Sequence, residues 1–144
     1  MQLKIYHETI IDVYFKEIRP ILEYGAVVFH SSLTKNLSDQ IEGIQKLFFK
    51  ALASYLNLQL SYSESCILFK ADFLFSRRSD ICYSFVAKNL KQANGNLFRR
   101  RNKTRCLRKN GMTFEEPQYR NMREYKDPLN FLTRIANEIM LNQA

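Results

Sequence analysis

Along the first thirty residues, apolar positions recur every three or four residues, which is the period of a helix. Seven positions at steps of three and four share one helical face, as buried stripes do. They are Ile10, Tyr14, Ile18, Ile21, Leu22, Gly25 and Phe29. Pro20 falls inside this stripe, where an unbroken helix would lose a backbone hydrogen bond at a cost of about 3 kcal/mol. We therefore predict two helical halves joined near Arg19, with Pro20 in the first turn of the second half and Gly25 at a close backbone approach or a local loosening.

The next stretch predicts two more helices. The longer one spans residues 38–57, with Ser38 as its N-cap. Its predicted core positions share one face. They are Ile41, Ile44, Phe48, Ala51 and Tyr55. The spacing of Ser61 and Glu64 matches a capping box, which predicts a short helix from there to Lys70.

Two helices are predicted in the second half of the chain. One spans residues 77–92 and is followed by the stop sequence NGN. Its stripe consists of Ile81, Cys82, Phe85, Val86, Asn89 and Leu90. The other begins with Asp127 as N-cap and Pro128 at the first helical position. Its core face consists of Leu132, Ile135, Ala136 and Ile139.

Strand patterns are nearly absent, since only a weak alternation occurs around LNLQLSYS at residues 56–63. We therefore predict an all-α fold, a small bundle of about four helices with an irregular basic segment and a short C-terminal helix. The predicted parts are a helical domain over residues 1–92, the basic segment over residues 93–127 and the closing helix over residues 128–144.

The positive charge of the chain belongs to one segment. The formal net charge is +8, and residues 91–127 carry eleven Lys or Arg against four Asp or Glu, whereas residues 1–90 carry ten against nine. Seven cations fall within eleven residues. They are Arg99, Arg100, Arg101, Lys103, Arg105, Arg108 and Lys109. A local field of this sign favours phosphate, an anionic lipid surface or an acidic partner.

Two interpretations of this cluster stay open from the sequence alone. Phosphates of RNA or DNA would relieve the mutual repulsion of the cations by replacing released counterions, and Phe98, Phe114 and Tyr119 would be available to stack on unpaired bases. Alternatively, the run is a solvated loop or a nuclear-import-like signal. Scattered cations on the helices are weaker candidates for phosphate contact. They are Lys16, Arg19, Lys46 and Lys50. Arg19 also has the i,i+4 spacing for a pair with Glu23.

Cysteine usage favours an intracellular location, nuclear or cytoplasmic. Cys66, Cys82 and Cys106 are odd in number and form no C-x-x-C pair, so neither a disulfide framework nor a zinc site is expected. Cys66 and Cys82 fall in apolar stripes, where a thiol behaves as a small hydrophobe. The N-terminus lacks the apolar region of a signal peptide, and no stretch approaches about 18 uncharged apolar residues, so we expect no membrane partner. No cofactor is predicted.

Residues 5–52 carry a motif pattern, R-P-x-L-E-Y followed by V-F and then I-E-x-I-Q-K-x-F. The stretch resembles the region just C-terminal to the catalytic palm in reverse transcriptases of non-LTR retrotransposons, in the manner of jockey-type elements. The positions that carry the resemblance are Arg19, Pro20, Leu22, Glu23, Tyr24, Val28, Ile41, Glu42, Gln45 and Phe48. Arg19, Pro20, Glu23 and Tyr24 form its structural motif.

The resemblance continues along the chain. Residues 61–90 are similar to the family's S-Y-x-x-R…L-x-x-R-R segment, with Arg77 and Arg78 on the paired arginines. The tail FEEPQYRNMREYKDPLNFLTRIANE is similar to a basic and aromatic run that precedes P-x-x-x-L-T-R-x-x-N. Phe29 replaces the usual Trp, residues 30–32 replace an Asn-Pro turn, and Ser65 lies near an expected arginine. These departures indicate a diverged copy.

The resemblance implies a thumb, a helical bundle that contacts template and primer through phosphates. The parent family is an RNA-directed DNA polymerase, whose metal-binding aromatic-x-Asp-Asp sequence does not occur here. The aspartates are solitary, so no catalytic residue is expected. They are Asp12, Asp39, Asp72, Asp80 and Asp127. The palm and fingers would lie upstream of Met1 and act as partners. The sequence therefore predicts a non-catalytic module that contacts RNA or DNA, or alternatively a structural or protein-interaction fragment without independent activity.

Overall fold

The chain folds into helices of very different length, separated by short turns. The computed structural model describes residues 2–91, 97–98, 114–116 and 119–142. The helices are α1 (Gln2–Val13), α2 (Arg19–Glu23), α3 (Ala26–Phe29), α4 (Lys35–Tyr55), α5 (Tyr62–Leu68), α6 (Leu74–Lys91), α7 (Met122–Tyr125) and α8 (Pro128–Leu141). A π-helical turn, Tyr14–Ile18, joins α1 to α2, and a 3-10 turn, His30–Ser32, follows α3. The described residues form no β-strand, so the predicted all-α fold is confirmed.

The chain divides into two compact units. Unit 1 contains Met1–Gly25 and Leu33–Arg78, and unit 2 contains Ala26–Ser32 and Ser79–Ala144. Helix α6 therefore contributes its first residues to unit 1 and the remainder to unit 2. The predicted division at residues 92 and 127 stays a prediction.

Pro20 lies at a joint between helices, as predicted. The backbone N–H of Arg19 donates to the carbonyl of Tyr14, five residues back, and Pro20 follows in the first turn of α2, where a missing N–H costs little. Helix α2 then ends before Gly25, which has φ 70°, while Tyr24 has φ −57° and ψ 128°. These angles define a type II turn, which requires positive φ at its third residue. Gly25 thus separates two helices.

The π-helical turn changes the phase of the apolar stripe. Tyr14 is fully buried, but Ile21, seven residues later, is 74% exposed. Because the wider i→i+5 turn breaks the 3.6-residue period, residues before and after it no longer share one face. Ile21 of the predicted stripe is therefore not a core residue, whereas Ile18, within the turn, packs against the core residues around Tyr14.

Helix α4 begins earlier than predicted and buries a different face. Thr34 is its N-cap, with Oγ1 accepting from the Leu37 N–H at 3.3 Å, instead of Ser38. Ile44 and Tyr55 from the predicted face are 46% and 50% exposed. The buried residues are Gln45, Phe49, Leu52 and Ala53. The helix carries apolar residues on both sides, so periodicity alone does not distinguish the core face.

Unit 1 has an aromatic core beneath α4. Its buried apolar residues are Tyr14, Phe49, Leu52, Cys66, Phe69 and Ala71. The Tyr14 ring stacks on Phe48 with centroids 4.5 Å apart. Helix α5 has the predicted capping box, since the Ser61 N–H donates to Glu64 at 2.7 Å and the Glu64 N–H donates to Ser61 Oγ at 3.3 Å.

Unit 2 has its own core between α6 and α8. Its buried apolar residues are Cys82, Val86, Phe98, Phe114, Leu132, Ile135 and Ala136. Asp127 caps α8 as predicted, accepting from the N–H groups of Leu129 at 3.0 Å and Asn130 at 3.4 Å. Pro128 occupies the first turn of that helix.

Helices α4 and α5 both end in a Schellman motif, but with different residues at its left-handed position. Lys70 has φ 52° after α5, and the Ala71 N–H donates to the Cys66 carbonyl. Asn57 has φ 54° after α4, where asparagine is better tolerated. We expect Lys70→Gly to raise the free energy of unfolding by about 1 kcal/mol in urea denaturation, because glycine adopts this conformation without strain. Asn57→Gly should have a smaller effect, and equal gains would contradict this reasoning.

Candidate nucleic-acid interface

The R-P-x-L-E-Y motif and the paired arginines meet at Glu23 in unit 1. Arg19 Nε donates to Glu23 Oε1 at 2.8 Å, which confirms the i,i+4 pair that the spacing predicts. Arg77, 54 positions away in sequence, donates to both oxygens of the same carboxylate at 3.2 and 3.4 Å. All three side chains are mostly buried, so this ion-pair cluster holds α2 against the start of α6 within unit 1 and leaves Arg19 poorly placed to contact phosphate.

The two arginines keep Glu23 ionised. Burial raises the pKa of this carboxyl, but the hydrogen bonds and positive charges of Arg77 and Arg19 outweigh burial and hold its pKa below the usual value. The carboxylate therefore contributes to stability at neutral pH.

We expect Glu23 to make unit 1 sensitive to acid. Its folded-state pKa is lowered, so its contribution is fully present above the ordinary glutamate pKa of about 4.3 and is lost as pH falls through the lower folded value. Urea denaturation between pH 3 and 6 should show a steeper loss of stability for the native chain than for Glu23→Gln. Glu17→Gln, at an exposed position, should keep the native profile. Parallel profiles for the native chain and Glu23→Gln would contradict this role.

The motif residues Glu42, Gln45 and Tyr62 form a hydrogen-bonded polar network with Tyr14. The Tyr14 hydroxyl donates to Gln45 Oε1 at 2.5 Å, and Gln45 Nε2 donates to the Tyr62 hydroxyl at 2.8 Å. Tyr62 in turn donates to Glu42. Burial raises the pKa of both tyrosines, and the hydrogen bond to Glu42 adds to this effect at Tyr62, so both remain protonated donors. The network connects the π-helical turn, α4 and α5.

Glu42 also caps helix α6. Its carboxylate accepts from the backbone N–H groups of Leu74 at 3.2 Å and Phe75 at 3.1 Å, the first two residues of that helix. The residue preceding α6 is Phe73, which has no side-chain acceptor. A carboxylate from α4 therefore supplies the N-cap interaction that the local sequence lacks.

The second paired arginine, Arg78, is fully buried. Its Nη2 donates to Ser38 Oγ at 2.9 Å, whereas Nε and Nη1 have no hydrogen-bond partner within the described part of the chain. Burial lowers the pKa of this guanidinium, and the charges of Glu42 and Glu23 oppose that change. Arg78 is thus an internal cation of unit 1.

Two open cavities of unit 1 adjoin Phe73, with volumes of about 380 and 490 Å³. Their walls carry three carboxylates, from Asp39, Glu42 and Asp72, against one cation, Lys70. A negative field repels phosphate. These cavities are therefore unsuited to the backbone of a nucleic acid.

The described thiols are core groups. Burial raises the pKa of Cys66 and raises that of Cys82 to about 11, so both stay protonated at neutral pH. They lie in different units. Cys106 lies outside the described residues, and within residues 2–91, 97–98, 114–116 and 119–142 no three His, Cys, Asp or Glu side chains are grouped as metal ligands.

The predicted cationic cluster, Arg99–Lys109, lies outside the described residues. The weaker candidates on helices are described. Lys16 pairs with Asp12 at 2.8 Å on the surface of α1 and the π-helical turn. The ammonium of Lys46 lies 5.2 Å from the centre of the Tyr62 ring. These contacts are solvent-exposed and leave both lysines accessible.

Two of the three aromatic residues expected beside the cluster belong to the unit 2 core. Phe98 and Phe114 are buried, with ring centroids 5.4 Å apart, so the prediction that they stack on bases is wrong. Asn137 of α8 holds Phe114 in place. Its Oδ1 accepts from the Phe114 N–H at 2.9 Å, and its Nδ2 donates to the Phe114 carbonyl at 3.3 Å and to Glu116 at 3.1 Å. Both the oxygen and the nitrogen of this buried side-chain amide therefore have hydrogen-bond partners.

The tail of unit 2 carries a basic and aromatic surface, here named the tail cluster. It consists of Tyr119, Arg120, Arg123, Tyr125, Lys126 and Arg134. Arg134 Cζ lies 3.8 Å from the centre of the Tyr125 ring, and Arg134 Nη1 donates to the Tyr125 carbonyl at 3.0 Å. The ring planes of Tyr119 and Tyr125 are inclined at 88° to each other, and their centroids lie 5.3 Å apart. Arg134 belongs to the L-T-R-x-x-N pattern, but the sequence alone did not indicate this stack.

Comparison with known proteins identifies no relative of this chain, since no family model, curated protein or solved structure matches it. Among the described helices, none combines the length and the apolar character needed to cross a membrane.

Proposed function

We propose that this chain is a non-catalytic, thumb-like helical module of a retroelement reverse transcriptase that contacts RNA or DNA through phosphates. The observation that carries the proposal is the meeting of the motif segments within unit 1. Glu23 bonds Arg77 across 54 positions, and Gln45 bonds Tyr62 across 17. Residues matched to the family in three separate stretches therefore depend on one another. Such hydrogen bonds between matched residues are expected if the sequence motifs of the family stabilise one helical fold.

The same contacts assign different roles to different parts of the chain. Arg19, Arg77 and Arg78 are engaged inside unit 1. Phosphate contact in this proposal therefore falls to the cations of the second half, above all Arg99–Lys109, where positive charge exceeds negative charge. The partners would be a nucleic acid and the palm and fingers of the parent polymerase. No catalytic step is included, because the family's aromatic-x-Asp-Asp sequence does not occur in the chain.

Salt dependence of binding tests the proposal. With about five phosphate contacts, the logarithm of the affinity for a single strand should fall with the logarithm of salt concentration at a slope of about −3.5. Fluorescence anisotropy with a labelled oligonucleotide between 50 and 300 mM salt measures this slope. A flat dependence, or no binding at low salt, would overturn the proposal.

Two triple variants that remove equal charge locate the contact. Substitution of Arg99, Arg100 and Arg101 by glutamine should make the slope shallower by about 2. Substitution of Lys16, Lys46 and Lys50 by glutamine should leave it unchanged. If the second variant has the larger effect, unit 1 carries the contact and the assignment to residues 99–109 is wrong.

A structural or protein-interaction fragment is the second candidate function, and one observation favours it. Unit 1 exposes large apolar side chains, with Ile21 74%, Leu47 70% and Ile67 78% accessible. Covering such residues is a common role of a partner domain. This alternative predicts self-association in light scattering and strong binding of the dye ANS. A monodisperse chain that binds nucleic acid without ANS binding would exclude it.

A further inference from the structure

The tail cluster has three features of a surface that binds unpaired bases. It carries an exposed aromatic ring, a fixed guanidinium plane and surplus positive charge, all within residues 119–134 of unit 2. Single-stranded nucleic acids are bound by this combination, because every base has an aromatic face and every linkage has a phosphate.

The aromatic feature is Tyr125. Tyr125 is 43% exposed even though Arg134 lies over its ring, so the residue is accessible to another planar group. The edge-on contact with Tyr119 and the position at the end of α7 restrict the ring. A restricted ring loses little conformational freedom when a base stacks on it.

The guanidinium feature is Arg134. Its stack on Tyr125 and the hydrogen bond from Nη1 to the Tyr125 carbonyl hold the plane in one orientation. Within the described residues, Nε and Nη2 make no hydrogen bond. A held guanidinium with open donors is suited to phosphate oxygens or to the edge of a base.

The charge feature comes from residues close to Tyr125 in sequence. Arg120, Arg123 and Lys126 have no ion-pair partner among the described residues. The carboxylates of Glu124 and Asp127 accept hydrogen bonds from backbone N–H groups. Glu124 accepts from the Arg120 N–H at 2.8 Å, and Asp127 caps α8. Residues 119–134 therefore carry more positive than negative charge.

We propose that the tail cluster binds single-stranded nucleic acid, with one unpaired base stacked on Tyr125 and its flanking phosphates on Arg134, Arg120 and Arg123. This inference rests on the proposed function and adds a preference for unpaired bases, which the phosphate contacts of residues 99–109 do not supply.

The test compares three labelled ligands of equal length at fixed salt: a thymidine 12-mer, the same strand without bases, and a 12-base-pair duplex. The full chain should bind the thymidine strand about tenfold more tightly than the strand without bases, as expected for one stacked base. Affinity for the duplex, whose paired bases are not available to stack on Tyr125, should be the same for the native chain and for Tyr125→Leu.

Variants separate base stacking from charge and from folding. Tyr125→Leu should reduce affinity for the thymidine strand to that for the strand without bases, with an unchanged salt slope, and Tyr125→Phe should retain the native preference. Tyr55→Leu, at an exposed tyrosine of unit 1, is the matched control and should change nothing. Thermal melting of each variant monitors folding, and the comparison of strands with and without bases in the native chain tests the preference even if Tyr125→Leu unfolds.

The outcomes distinguish the two proposals. Equal affinity for strands with and without bases, or a native preference in Tyr125→Leu, would overturn this inference and leave the proposed function intact. Absence of salt-dependent binding to all three ligands would overturn the proposed function, and this inference with it.

Discussion

Glu42→Ala is expected to lower the free energy of unfolding by about 3 kcal/mol. The substitution removes a charged acceptor shared by the Tyr62 hydroxyl and the N–H groups of Leu74 and Phe75, and hydrogen bonds to a charged group contribute about 1.5–3 kcal/mol each to stability. Water would replace part of the lost hydrogen bonding to these donors, because the start of α6 is partly exposed. Urea denaturation followed by circular dichroism measures the change.

Two further measurements make the Glu42 prediction specific. Glu17→Ala, which removes an exposed carboxylate in the π-helical turn, should change stability by less than about 0.5 kcal/mol. Hydrogen exchange at the Leu74 and Phe75 amides should accelerate in Glu42→Ala more than exchange in the middle of α6. A uniform acceleration along the helix would show that Glu42 acts through the core and not as a cap.

Asn137→Ala is expected to cost about 3 kcal/mol in unit 2. Among the described residues, the alanine leaves both the N–H and the carbonyl of buried Phe114 without a partner, and each such group costs about 1–3 kcal/mol. Asn89→Ala is a matched control, because among the described residues the Asn89 side chain bonds only the Phe85 carbonyl of its own helix. That control should stay within about 0.5 kcal/mol of the native chain.

A second substitution at the same position tests the direction of the hydrogen bonds. Asn137→Asp keeps an acceptor for the Phe114 N–H but places a carboxylate where Nδ2 now donates to Glu116 and to the Phe114 carbonyl. The loss of stability should therefore exceed that of Asn137→Ala, because a buried carboxylate would face two acceptors without a donor between them. A smaller loss than that of Asn137→Ala would contradict the assigned amide orientation.

The features that could be predicted are those that local sequence determines. The capping box of α5 and the Asp127-Pro128 start of α8 are formed by residues two or three positions apart, and both are confirmed. The joint at Pro20 is confirmed for the same reason, since the missing N–H acts within one turn.

The features that could not be predicted depend on contacts between distant residues. The buried face of α4 is centred on Gln45, whose side-chain amide forms hydrogen bonds with Tyr14, Tyr62 and the Asp72 carbonyl. Hydrophobic periodicity assigns a glutamine to the exposed face of a helix, so it did not predict this burial. The start of α6 is likewise capped from another helix. In the candidate interface, the Arg19–Glu23 pair follows from spacing, whereas the contribution of Arg77 requires the fold.

The pairing of Phe98 with Phe114 has a thermodynamic consequence for the cations between them. Their rings lie 5.4 Å apart in the unit 2 core, so the two residues that flank the fifteen-residue cationic sequence are held close together. Bringing together the ends of a chain of that length costs about 2 kcal/mol of entropy. This loss of entropy occurs when the core folds. It is therefore not part of the free energy of binding when a polyanion binds the segment.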